Sequence, residues 1–193
     1  MGLFDRFKRS PAEEPGENTQ AAQNAWPGVI LEIAAIISNG DEAVLQEVAA
    51  CTSDPAGYFA AHQERYEERS VYDANDREEI QWLGLVDILE PHVYVCELDW
   101  KDAKEEFLYF LEHLKGMKRL GLELQEDWFS EKDDISIWSR ILDEKWKPQQ
   151  CCLACIDINS DSYVLFPCGL AEAEQLKTLA AQLGRCIVGP VEG

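Results

Sequence analysis

Apolar residues crowd into "GVILEIAAIIS" (28–38), where Glu32 is the only charge, and a helix that is apolar on nearly every face is a buried one. Trp26-Pro27 opens it, because proline's fixed φ and missing N–H suit a first helical turn, and Asn39-Gly40 stops it. Asp41 can cap a second helix through Ala50, and Asp54-Pro55 starts a third that runs through the charged "HQERYEERS". Asn75 and Glu78 stand at capping-box spacing ahead of Ile80, Leu83, Leu85, Val86 and Leu89, the apolar stripe of a fourth helix.

After Glu90-Pro91 the pattern changes. Val93, Tyr94, Val95, Cys96 and Leu98 form a β-prone run that ends at Asp99-Trp100. Asp102 and Glu105 repeat the capping-box spacing, and Phe107, Phe110, Leu111 and Leu114 recur at helical intervals before Gly116. Between Leu120 and Lys147 the signal weakens, although Ile135, Trp138, Ile141, Leu142 and Trp146 predict a helix that ends near Pro148. The last third reads as a strand (151–158), the turn Asn159-Ser160-Asp161, a strand (162–167), a helix (170–183) stopped by Gly184, and a strand (185–188). Leu176, Leu179, Ala180 and Leu183 form the helix face that covers the sheet.

A helical N-terminal half followed by a mostly antiparallel sheet of about four strands with packed helices is an α+β arrangement. Residues 1–25 form the exception. "SPAEEPGENTQAAQNA" (10–25) has no apolar periodicity and reads as a disordered linker, dispensable for folding, so a single α+β domain is expected over 26–193. Ahead of the linker, Leu3, Phe4 and Phe7 alternate with Arg6, Lys8 and Arg9, a pattern that offers at most a weak contact with an anionic surface. Arg6 stands where a myristoylation signal needs Ser or Thr, and "MGLFDRFKRS" lacks the apolar core of a signal peptide.

Composition narrows the function classes. The 193 residues carry 37 acidic against 17 basic side chains, a formal charge of -20, which opposes nonspecific contact with nucleic acid or anionic lipid and favours a basic protein partner. Seven cysteines without a secretory leader point to a reducing cytoplasm. The longest apolar run is far short of the roughly 20 residues that span a bilayer, so no stable membrane insertion is expected.

The stretch "CLACIDINSDSYVLFPC" (152–168) invites two metal readings. Zinc would need Cys152 and Cys155 to converge, but strand alternation sends residues three apart to opposite faces. A calcium loop would begin well with Asp157, Asn159 and Asp161, then fail at Ser162, where the sharp bend needs glycine, and at Cys168, where a bidentate Glu is needed. Asn and Asp at a turn between two apolar strands suffice as turn chemistry. His62, His92 and His113 stand far apart, and the chain has no Gly-x-Ser-x-Gly elbow, Walker loop or dinucleotide fingerprint. No catalytic residue, metal or cofactor is therefore assigned. Acidic pairs such as Asp133-Asp134 read as a solvated face.

Two places hold aromatic residues among acids: "LDWKD", with Asp99 and Trp100 at a strand's end, and "QEDWFSEKDD", with Trp128 and Phe129. Aromatic anchors rimmed by charge are the material of protein interfaces. The residues expected to bind are therefore Asp99, Trp100, Trp128 and Phe129, with Asp157, Asn159 and Asp161 as further candidates at the strand ends. The alternative is an enzyme or ligand-binding domain that uses the carboxylates of Asp99, Asp157 and Asp161.

"VYVCELDWKDAKEEFLYFL" and "CIDINSDSYVLFPC" resemble a family of uncharacterised bacterial proteins, domain of unknown function 6630, over roughly Trp26 to the C-terminus. The resemblance implies no established activity. Small acidic domains of this kind are also similar in type to immunity proteins that neutralise toxins. The expectation is thus a non-enzymatic protein-binding domain of the immunity or inhibitor sort.

Overall fold

The computed structural model describes the backbone of residues 18–188 and the side chains of residues 26–188. The amphiphilic segment expected at 3–9 and the linker residues 10–17 lie outside the described residues. Five helices come first: α1 (Asn18–Ser38), α2 (Glu42–Ser53), α3 (Pro55–Ala61), α4 (Gln63–Glu68) and α5 (Arg77–Leu89). Then follow β1 (Cys96–Asp99), α6 (Lys104–His113), α7 (Lys115–Leu120), α8 (Ile135–Trp146), β2 (Cys151–Ile156), β3 (Ser162–Gly169), α9 (Leu170–Gln182) and β4 (Ile187–Val188). The fold is α+β, with an antiparallel sheet in the order β1-β3-β2-β4.

Both faces of the sheet are covered. Period-two alternation sends Ala154, Ile156, Val164, Phe166 and Cys168 into one core, where they meet Ile30, Ile33, Val48, Leu85 and Leu89 of the N-terminal helices and Leu176, Leu179, Ala180 and Leu183 from the chain around α9. Leu98, Cys151, Leu153 and Leu165 point the other way, into a second core with Phe107 and Leu111 of α6, Met117 of α7 and Trp138, Leu142 and Trp146 of α8. A strand covered on both faces has no polar side to show, which is why "CCLACI" reads as an unbroken apolar run.

Two glycines set how closely the layers approach. A Cβ on Gly84 of α5 would stand 2.6 Å from Cys51 Sγ on α2 and 3.0 Å from the Tyr66 hydroxyl, and that hydroxyl is already committed to the Ile80 carbonyl at 2.9 Å. A Cβ on Gly116 would stand 2.8 Å from Pro167 Cγ and 3.0 Å from its carbonyl oxygen, so α7 lies directly on β3.

Several boundaries differ from the sequence reading. α1 begins at Asn18, ahead of Trp26, and Pro27 sits inside it. The expected third helix is split at His62, whose N–H turns back onto the Phe59 and Tyr58 carbonyls and tightens the last turn of α3. Each expected capping box moves by one residue and makes one of its two bonds. Asp76 caps α5 by accepting from Glu79 N–H at 3.4 Å, and Glu106 accepts from Ala103 N–H at 3.0 Å at the start of α6. The strand expected from Val93 begins at Cys96, because Val93 and Tyr94 close α5: their N–H groups donate to the Glu90 and Leu89 carbonyls at 2.8 and 3.1 Å.

An ion network joins the helical layer to β1. Arg69, just past α4, donates to Asp87 of α5 at 2.9 Å and to Glu97 of β1 at 2.7 Å. Glu90, the C-cap of α5, has its carboxyl pushed up from its ordinary range, first by burial and then by the charge of Glu97. A carboxyl whose folded pKa is raised leaves its full stability contribution below the unfolded pKa and loses it as pH rises through the folded pKa. Glu90→Gln is therefore expected to raise stability at neutral pH by about 0.3–1 kcal/mol, the scale for an anion at a helix C-terminus, with the gain vanishing below about pH 4. Urea denaturation of both proteins at the two pH values checks this, and an unchanged or lower midpoint for the variant at neutral pH contradicts it.

Candidate functional site

The register Asp99↔Ser162 sets the end of β1 beside the turn between β2 and β3, so Asp99, Trp100 and residues 157–161 share one end of the sheet. Trp82 of α5 fixes that turn by donating its indole N–H to the Asp157 carbonyl at 2.8 Å. The carboxylates there serve their own turns. Asp99 Oδ1 accepts from Lys101 N–H at 2.9 Å, Asp102 Oδ2 from Asp99 N–H at 2.8 Å, and Asp157 Oδ1 from Asn159 N–H at 2.8 Å. Asn159 takes φ 54, a left-handed position that asparagine tolerates. Among the described residues no three His, Cys, Asp or Glu side chains are grouped to hold a metal ion. Cys152 packs with the first core and Cys155 with the second, on opposite faces of β2.

Beside Asp99 a cleft of about 420 Å³ opens between the β1–α6 loop and the segment ahead of α8. Trp138 lines it from the second core, and Asp102, Glu105, Glu131, Asp133 and Asp134 supply five carboxylates against Lys101 and Lys104. Lys104 is buried and already engaged, with its ammonium 3.3 Å from Glu126 and 4.0 Å from Glu131. Asp134 caps α8, accepting from the Ser136 hydroxyl at 2.6 Å and from Ile137 N–H at 3.1 Å. Those bonds, the hydroxyl first, hold its carboxyl below the usual range, so it is ionised. Trp100 stands at the mouth, 52% exposed, with the Lys101 ammonium 4.8 Å from its ring centroid.

Of the residues expected to bind, Trp100 lines this cleft and Asp99 directly precedes it, whereas Trp128, Asp157, Asn159 and Asp161 do not line it. Phe129 is no surface anchor: it is buried in the second core, its ring 5.9 Å from Phe107. Trp128 is half-buried beneath the Lys145 ammonium, 5.0 Å from its ring centroid. Sequence reasoning missed Lys104, Glu131 and Trp138 as cleft residues, and Asp133-Asp134, read as a solvated face, line the same cleft with Asp134 exposed. The available signal was an Asp directly ahead of the periodic "ISIW", which is cap chemistry.

A second cleft, of about 320 Å³, lies between the α1–α2 turn and α7. Its charges are neutralised internally. Asp41 accepts from the Tyr94 hydroxyl at 2.8 Å and pairs with Lys115 at 3.4 Å, and Arg119 forks onto Glu172 at 2.8 and 3.0 Å. The Trp100 cleft is the one whose carboxylates outnumber the cations that answer them.

No helix among the described residues is long and apolar enough to cross a membrane. No curated protein and no solved structure matches the chain. The family model described as Domain of unknown function (DUF6630) matches residues 29–190, which hold all four strands, the second core and the first core apart from Trp26. The chain belongs to that family.

Proposed function

We propose that this domain is a non-enzymatic binding protein, of the immunity or inhibitor kind, that receives a basic segment of a protein partner in the Trp100 cleft. The observation that carries the reading is a half-exposed tryptophan ring over which the chain's own lysine ammonium sits, at the mouth of a cleft rich in carboxylates. An indole face attracts cations, and the acids around it compensate a lysine or arginine that leaves water to reach it. The -20 charge steers a basic partner inward over distances set by the Debye length, so association is fast and salt-sensitive. The reading needs no cofactor and no nucleic acid, and it places the protein in a reducing cytoplasm.

The alternative, an enzyme or ligand-binding domain working through Asp99, Asp157 and Asp161, has less support, because the first two carboxylates already accept backbone N–H groups of their own turns.

Titration with a lysine- and arginine-rich peptide, followed by tryptophan fluorescence at low and high salt, tests the proposal. Trp100→Ala is expected to weaken binding by about 2 kcal/mol, roughly 30-fold, as for an interface anchor, with the melting temperature unchanged. Tyr72, more exposed still and outside the cleft, is the control. An equal loss in Tyr72→Ala, or binding indifferent to salt, would sink the assignment. Recovery of no basic partner from the native host at low salt would also count against it.

A further inference from the structure

We propose that Cys152 and Cys168 form a reversible oxidation site, a cross-strand dithiol that hydrogen peroxide converts to a disulfide. This stands apart from the binding reading and does not depend on it. The two residues are directly opposed partners on β2 and β3, and their sulfurs lie 3.8 Å apart. Opposed antiparallel positions have Cα atoms about 4.5–5.5 Å apart, inside the roughly 4.4–6.8 Å that a disulfide spans. Closing the sulfurs to about 2.05 Å needs side-chain rotation, with no change of strand pairing.

The other five cysteines lack this arrangement. All seven are free thiols. Cys51 and Cys96 are buried, with burial pushing each thiol up to about 12, and Cys155 is pushed up to about 11 for the same reason. Cys151 bonds the Gln149 carbonyl, and Cys186 is exposed ahead of β4. Within the opposed pair the roles divide. Cys152 is half-buried and reachable, whereas Cys168 is 2% exposed. The Cys168 S–H can donate to the Cys152 sulfur, which lowers the Cys152 pKa and raises that of Cys168. Cys152, the member of the pair that peroxide can reach, is therefore the attacking thiol and Cys168 the resolving one.

The chemistry balances with peroxide as the two-electron oxidant. The Cys152 thiolate attacks one peroxide oxygen, the O–O bond breaks, and Cys152 becomes a sulfenic acid while hydroxide leaves and takes up a proton as water. Cys168 then gives up its proton and attacks the Cys152 sulfur, forming the S–S bond and releasing the sulfenic oxygen as a second water. Two thiols and one peroxide thus give one disulfide and two waters. The bond joins the two central strands beside the start of α9.

The test exposes the full, freshly reduced chain to stoichiometric hydrogen peroxide and weighs it intact. The expected product is lighter by two hydrogens, fragmentation places the link between Cys152 and Cys168, and a dithiol reductant restores the starting mass. In Cys168→Ser, Cys152 accumulates as a sulfenic acid that dimedone traps; in Cys152→Ser, both the link and the trapped species disappear. A link through Cys151 or Cys186, a two-hydrogen loss that persists in Cys152→Ser, or an unchanged mass for the wild-type chain overturns the assignment. The wild-type measurement decides the matter even where a variant folds poorly.

Discussion

Arg69→Met is expected to lower the free energy of unfolding by about 3 kcal/mol at neutral pH, the scale for breaking a buried ion pair by removing one partner. The guanidinium is the shared counterion of Asp87 and Glu97, and Asp87 is only 4% exposed, with its Oδ2 already lacking a hydrogen-bond partner. Methionine keeps the packing of the arginine stem, so the loss reports the charge. Arg65 cannot substitute, because it reaches the Asp87 backbone carbonyl, at 3.3 Å, and not the carboxylate. Nearby Glu90, whose carboxyl burial and Glu97 already push up, adds to the uncompensated negative charge. Urea denaturation gives the number. A loss below about 1 kcal/mol, the range of a surface pair, would mean that solvent reaches Asp87 and that the network is not holding α5 to β1. Replacing Arg69, Asp87 and Glu97 together by apolar residues is expected to recover most of the loss, since the cost lies in the stranded charges.

The order of elements was legible because hydrophobic period and cap chemistry agree along most of the chain. Asp41 does cap α2, accepting from Ala43 N–H at 3.0 Å, and Asp54 caps α3 through Gly57 N–H at 3.0 Å. Local pattern failed where a distant partner overrides it. Val93 is β-branched yet takes φ 61, a region that such side chains avoid. It is held there while its carbonyl accepts from Lys115 N–H of α7 at 2.9 Å, a contact 22 residues away that no local window contains. The exposure of Trp100 was readable because an aromatic at a strand end flanked by Asp99 and Lys101 has little apolar company. Phe129 carries a similar acidic flank, but the ring that buries it belongs to α6. Nor could spacing show that Lys104 is buried or that Glu131 meets it, because those residues come together only once α6 and α8 have packed on the second face of the sheet. In so acidic a chain, convergence of carboxylates is a property of the packing and not of the composition.

The same packing places Trp138 under the cleft, and Trp138→Ala is expected to cost about 3–5 kcal/mol, as for other buried tryptophans. The side chain is 2% exposed, its ring lies 5.3 Å from Phe107, and its indole N–H donates to the Ser130 carbonyl at 2.9 Å. Truncation therefore opens a cavity in the second core and removes the bond that fixes the segment leading to Glu131, Asp133 and Asp134. Trp138→Phe separates the two consequences. It retains most of the ring packing and deletes the hydrogen bond together with part of the indole's volume, so the expected loss falls to about 1–2 kcal/mol and the protein stays folded. Its affinity for the basic peptide should nevertheless drop, because the cleft acids on that segment are no longer held in place. Denaturation and peptide titration on the three proteins check both halves. A Trp138→Ala midpoint within error of the wild type would show that α8 does not depend on this side chain for its docking. Wild-type affinity in Trp138→Phe would show that the acids hold their positions without the Ser130 bond, leaving the ring of Trp100 and the charges nearest it to carry the recognition.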